Sequence, residues 1–181
     1  WARAVTERPV ILVFDGCYHG MVEDCLVTLK DGATAMKAGL VGQVHDMTAT
    51  TRVVPFNDLV ALEAALEPGG VAAVWAEPVM TNCGMILPDP GFHEAVRRLP
   101  RAAGTPLILD ETHPLSSGSG GYVRAQDLAP DMFVVGKAIA GGIPAAVWGV
   151  TAELSARMDA AQARIGPGQS GIGTTLAGNA L

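Results

Sequence analysis

The sequence predicts an α/β protein with three layers, α/β/α, around a mostly parallel sheet. Short, continuously apolar runs recur along the chain, and segments with helical spacing of apolar residues lie between them. Several runs also end directly in polar residues, as strands do where an open parallel sheet meets its ligand.

In chain order, Val10–Phe14 (VILVF) reads as a strand running into Cys17-Tyr18-His19-Gly20. Asp58–Glu67 (DLVALEAALE) places Leu59, Leu62 and Leu66 at helical spacing behind an Asn57 or Asp58 cap. Val71–Trp75 (VAAVW) runs into Glu77-Pro78, and Gly91–Arg101 is a helix with Phe92, Val96 and Leu99 on one face. Pro106–Leu109 (PLIL) ends at Asp110-Glu111, and Ser116–Gly121 (SSGSGG) reads as a flexible or tightly turning loop. Met132–Val135 (MFVV) and Ala145–Val150 (AAVWGV) complete the strands, and Thr151–Ala163 is a final helix. Continuous apolar runs of this length suit strands buried on both faces.

The 181 residues fit one domain or one compact piece of a larger one; they are 49% hydrophobic and 17% charged, which excludes a disordered tail or a coiled coil. Twelve basic against eighteen acidic side chains give a net charge of −6, with no Lys/Arg block, so neither nucleic acid nor an anionic membrane is the expected partner. No apolar run has the length of a spanning helix. The opening residues lack a signal-peptide pattern, and Cys17, Cys25 and Cys83 fit no paired spacing, so a reducing cytoplasm is expected. His19, His45, His93 and His113 have no metal-ligand spacing, so no metal is expected.

Three places carry chemistry. Lys137 sits between apolar and glycine residues (VVGKAIAGG), where a desolvated amine is suited to attack a carbonyl, although a strand-end lysine reaching solvent has the same pattern. Asp110 ends an apolar strand, where a carboxylate holds a protonated ring nitrogen or, more blandly, caps a helix. Tyr18-His19 offers a ring for stacking and an imidazole, or a packed turn. Residues 166–171 formally match a dinucleotide-binding glycine pattern, but follow a helix rather than a strand.

Taken in order, Tyr18-His19-Gly20, Glu77-Pro78-Val79, Asp110-Glu111, Gly136-Lys137 with Gly141-Gly142-Ile143-Pro144, and Gly173-Thr174-Thr175-Leu176-Ala177-Gly178-Asn179 resemble the class III, fold type I, pyridoxal-phosphate-dependent aminotransferases, nearest to the glutamate-1-semialdehyde 2,1-aminomutase branch. The resemblance implies pyridoxal 5'-phosphate bonded as a Schiff base to Lys137, with Asp110 pairing its ring nitrogen, Tyr18 stacking on its face and His19 supporting that turn. It places Thr112 against the ring, His113 near the phenolic oxygen, Asn82 on the substrate side, and Thr175 on the phosphate of the partner subunit in a homodimer. The implied reaction moves an amino group from an amino compound to a carbonyl acceptor, or, as in an aminomutase, within one molecule. The stretch Thr112-His113-Pro114-Leu115-Ser116-Ser117-Gly118 departs from the family's usual continuation, which bears on specificity rather than cofactor use. The same comparison implies that residues 1–181 form a partial large domain without the family's phosphate-binding turn and small domain. It leaves an inactive fragment or dimerisation module as a further alternative.

Overall fold

A computed structural model of the chain describes residues 1–165. Its elements in chain order are α1 (Ala2–Thr6), β1 (Val10–Phe14), β2 (Val27–Lys30), β3 (Ala33–Met36), β4 (Thr51–Val54), α2 (Leu59–Leu66), β5 (Val71–Ala76), α3 (Phe92–Ala102), β6 (Leu107–Asp110), α4 (Gly121–Ala125), β7 (Met132–Val135), β8 (Val147–Val150) and α5 (Ala152–Ile165). Six strands form one sheet in the order β4-β1-β5-β6-β7-β8, parallel except for β8, while β2 and β3 pair as a separate hairpin.

The sheet centre is where the apolar runs are continuous. All five residues of β1 are buried, and β5 contributes small alanines that let its neighbours approach closely. Side chains alternate between faces. Phe14 meets Phe56 and Phe92 at ring-centroid distances of 5.6 and 5.6 Å, on the face where α2 and α3 pack. Ile11, of opposite orientation, shares a cavity with Trp1, Ala2, Trp75 and Ile108, on the face of α1 and α5. Asp58 caps α2, accepting from Ala61 N at 2.9 Å, an interaction worth about 1 kcal/mol. Arg8 ties the amino ends of β5 and β6 together, its Nη1 reaching Ala103 O at 2.9 Å, Thr105 Oγ1 at 3.0 Å and Val71 O at 3.2 Å.

Three sequence expectations change. The run Ala145–Val150 is not a doubly buried parallel strand: β8 begins at Val147, runs antiparallel to β7 and forms the sheet edge, leaving Val147 and Trp148 47% and 44% exposed. Strands β2, β3 and β4 were not expected. The hairpin turns on Asp31 and Gly32, both with positive φ, the residue types such a turn requires. Finally, Ser116–Gly121 is more ordered than a loop: a 3₁₀ turn spans Pro114–Ser117, and α4 starts at Gly121 beneath the Glu111 carboxylate, which accepts from Val123 N at 2.7 Å.

Candidate active site

Every polar strand tip named from the sequence lies at the carboxyl end of the parallel strands, where the chain leaves the sheet. After β1 the chain turns through Gly16 (φ +81); a Cβ there would stand 2.9 Å from Cys83 Sγ, so this close approach needs glycine. The turn delivers Tyr18 to the surface and His19 to the interior. His19 stacks on Trp75 of β5, with ring centroids 4.5 Å apart and planes inclined by 13°.

Asp110, the last residue of β6, is the buried centre of the site. His19 Nδ1 donates to its Oδ2 at 2.8 Å, and Thr112 N donates to its Oδ1 at 2.9 Å. Burial is the largest single influence on this carboxyl and opposes ionisation, but the hydrogen bonds from His19 and Thr112 together outweigh it and hold it below the ordinary carboxylate range. Asp110 is thus a fixed negative charge in a low-dielectric setting. With Nδ1 engaged, His19 Nε2 is buried without a hydrogen-bond partner among the described residues.

Lys137 follows β7. Its backbone is left-handed (φ 47), a conformation costly for a residue with a Cβ, and it opens a 3₁₀ turn, Lys137–Ala140. Thr112 Oγ1 accepts from Gly136 N at 3.2 Å, which fixes the backbone just before the lysine. Lys137 Nζ stands 2.8 Å from His113 Nε2 and 5.8 Å from the Tyr18 ring centroid.

Glu77, immediately after β5 and expected from the sequence as a polar strand tip without an assigned role, organises one wall. It accepts from Tyr18 N at 3.3 Å, Asn82 Nδ2 at 3.2 Å, Thr81 N at 3.1 Å and Thr81 Oγ1 at 2.5 Å. Thr81 Oγ1 in turn lies 2.6 Å from His113 Nδ1. Thr81 was missed altogether. The signal for Glu77 was a buried-strand terminus ending in an acid; Thr81 has no local signal, since its partner is 32 residues away.

Tyr18, His19, Asp110, Thr112, His113 and Lys137 therefore converge on one cavity of ≈260 Å³, with Glu77 in its wall. Asn82 stands at its margin, on an exposed loop, with its amide turned to Glu77. Thr175 and the glycine pattern at 166–171 lie outside the described residues. A larger cavity of ≈480 Å³ beside α3 holds His93 and Arg97, but these are engaged with Pro78 O and Asp131.

The whole chain, residues 1–181, matches the family described as Aminotransferase class-III. Among curated proteins it is 42% identical to a glutamate-1-semialdehyde 2,1-aminomutase of Roseiflexus castenholzii over 82% of this chain and 35% of that protein. It is 39% identical to the one of Symbiobacterium thermophilum over 99% of this chain and 41% of that protein. The chain thus spans well under half the length of these relatives. Among solved structures, a glutamate-1-semialdehyde-aminomutase from Pseudomonas aeruginosa PAO1 superimposes with a TM-score of 0.93 at 47% identity, covering 99% of this chain and 41% of the other. A lysine-to-alanine variant from the same organism, solved in complex with PMP, gives 0.93 at 46% identity, covering 99% and 41%. An omega-transaminase from Sphaerobacter thermophilus gives 0.83 at 33% identity, covering 97% and 41%.

Proposed function

This chain belongs to the class-III aminotransferase family, and we propose that it supplies the cofactor-binding core, a partial large domain, of a pyridoxal-phosphate enzyme that transfers an amino group between an amino compound and a carbonyl acceptor. The observation that carries this reading is the convergence of a primary amine, a buried ionised carboxylate and an exposed aromatic face on one cavity, from segments far apart in sequence. That donor set fits the cofactor: a carboxylate held below its ordinary range retains the charge that a ring N–H requires, and Tyr18, 41% exposed, brings an aromatic ring to the cavity. When bound, pyridoxal phosphate supplies an aldehyde that condenses with amines and a protonated ring that withdraws electrons from the adjacent carbon.

The chain's own residues have distinct tasks. Asp110 would accept the ring N–H, and His19, pinned between Trp75 and Asp110, keeps that carboxylate from rotating. Thr112 would pack against the ring, and its hydroxyl sets the backbone before Lys137. Lys137 Nζ is the primary amine at the cavity that would hold the cofactor and move a proton there. His113 would hydrogen-bond near the phenolic oxygen, and Asn82 would meet substrate from the margin. Thr175 would serve the phosphate of a partner subunit in a homodimer. A cytoplasmic setting accords with three unpaired cysteines, and no helix among the described residues is long and apolar enough to cross a membrane. The names of the relatives favour a second reading with the same residues, in which the amino group moves within one molecule as in an aminomutase. Product formation from a single substrate without a keto-acid acceptor distinguishes the two.

Borohydride reduction of the full-length protein followed by peptide mapping is the direct test, and the pyridoxyl group is expected on Lys137. A label on Lys30 or Lys37 overturns the assignment.

A further inference from the structure

A hydrogen-bonded chain runs from Glu77 to Lys137, and the capacity of each member fixes its direction. Four N–H and O–H donors converge on the two Glu77 oxygens, which leaves no place for a carboxyl proton, so Glu77 only accepts. Thr81 has one hydroxyl proton, and it is spent on Glu77 Oε2. Towards His113 the Thr81 oxygen is therefore an acceptor, and His113 Nδ1, 2.6 Å away, must carry a proton. In the neutral ring this leaves Nε2 as a bare lone pair, 2.8 Å from Lys137 Nζ.

We propose that His113 is the proton acceptor for Lys137, held in its accepting tautomer by the Glu77–Thr81 chain. The N–H bond at Lys137 Nζ breaks, its electron pair stays on Nζ, and a new N–H bond forms at His113 Nε2. The positive charge moves from ammonium to imidazolium, one hydroxyl away from the Glu77 carboxylate that stabilises it. The amine left behind is neutral and nucleophilic. The inference rests on the reading that Lys137 is the reactive amine, and adds to it the group that discharges that amine. The other titratable groups facing this cavity are Asp110, at the end of β6, and Tyr18 and His19, in the turn after β1. Asp110 is already engaged by His19 and Thr112, so the acid that faces the His113 ring is Glu77, through Thr81.

The test uses the full-length enzyme with its cofactor, isotopically labelled in its histidine rings for nitrogen NMR. His113 is expected to carry its proton on Nδ1. Thr81→Val should abolish that preference and slow turnover, and Thr81→Ser should restore both. His113→Gln should lower kcat by roughly 100-fold, the scale of a general acid–base group, with KM within about twofold. A wild-type His113 protonated on Nε2 with a bare Nδ1 overturns the proposal, as does a Thr81→Val protein whose tautomer and turnover are unchanged. So does a folded His113→Gln protein within about threefold of wild-type kcat, a loss far below that scale. Borohydride mapping on the same preparation separates the two levels. A label absent from Lys137 fails the underlying reading and the proposal with it, whereas a label on Lys137 beside an Nε2-protonated His113 fails the proposal alone.

Discussion

Asp110 and Glu111 are neighbours in sequence, both buried, and their surroundings push them in opposite directions. Asp110 lies below the ordinary carboxylate range because His19 and Thr112 outweigh its burial. Glu111 lies above it because burial outweighs the N–H groups of Val123 and Tyr122 that it caps. The helix-capping alternative, weighed for Asp110 from the sequence, thus belongs to Glu111. Asp110→Asn is expected to reduce turnover far more than cofactor retention, since losing one member of a buried charged pair costs about 3–5 kcal/mol; rates within about tenfold of wild type (~1.4 kcal/mol) would show that Asp110 is not the ring partner. For Glu111 the folded-state value is raised, so its contribution to stability is complete below the unfolded value of about 4.3 and is lost as pH rises through the folded one. Glu111→Gln should therefore gain stability relative to wild type as pH rises from about 4 to 7. Denaturant midpoints of both proteins across that range check this, and a relative stability that is flat or moves the other way contradicts it.

At the scale of elements, the start of α4 is a tight junction beside the site. Gly121 has φ +79, and a Cβ there would come within 2.6 Å of Glu111 Oε1. Gly121→Ala should cost about 1–2 kcal/mol for the left-handed backbone, with a further contribution of about 1 kcal/mol if the cap is displaced. Thermal unfolding measures it, and a variant as stable as wild type would mean that α4 starts elsewhere. The bounds of β1 and β7 were legible from the sequence because their runs are apolar throughout. β4 was hidden for a physical reason: in Thr51-Arg52-Val53-Val54 the arginine is spent on α2, its Nη1 reaching Ala65 O at 2.6 Å and Gly69 O at 3.0 Å, which breaks any apolar pattern. Lys137, Asp110 and Tyr18 stood out because each interrupts an apolar or glycine context. The Glu77–Thr81–His113 chain did not, since its direction comes from pairings across the sheet top that no local spacing encodes.

For the whole molecule, the β8 edge is the exposed flank. Val147 and Trp148 are exposed on β8, the last strand of the sheet among the described residues, and Phe133 on the adjoining strand is 37% exposed. The 181-residue chain expressed by itself is expected to self-associate and to bind cofactor weakly, with a sedimentation profile that shifts with concentration and reverts toward monomer in Trp148→Lys. A stable monomer with steady transamination at the rates of a full-length relative would contradict this. The His19–Asp110 bond has a different kind of consequence, one of timing. It joins residues 91 positions apart, and closing a loop of that length costs about 4 kcal/mol of chain entropy before any contact repays it. A chain emerging from the ribosome presents Tyr18 and His19 early and must then wait for β5, β6 and β7 to arrive and assemble. On the proposed reading, cofactor capture is a late event in the life of the nascent chain, and the yellow colour of the bound form marks only those molecules whose sheet has already closed.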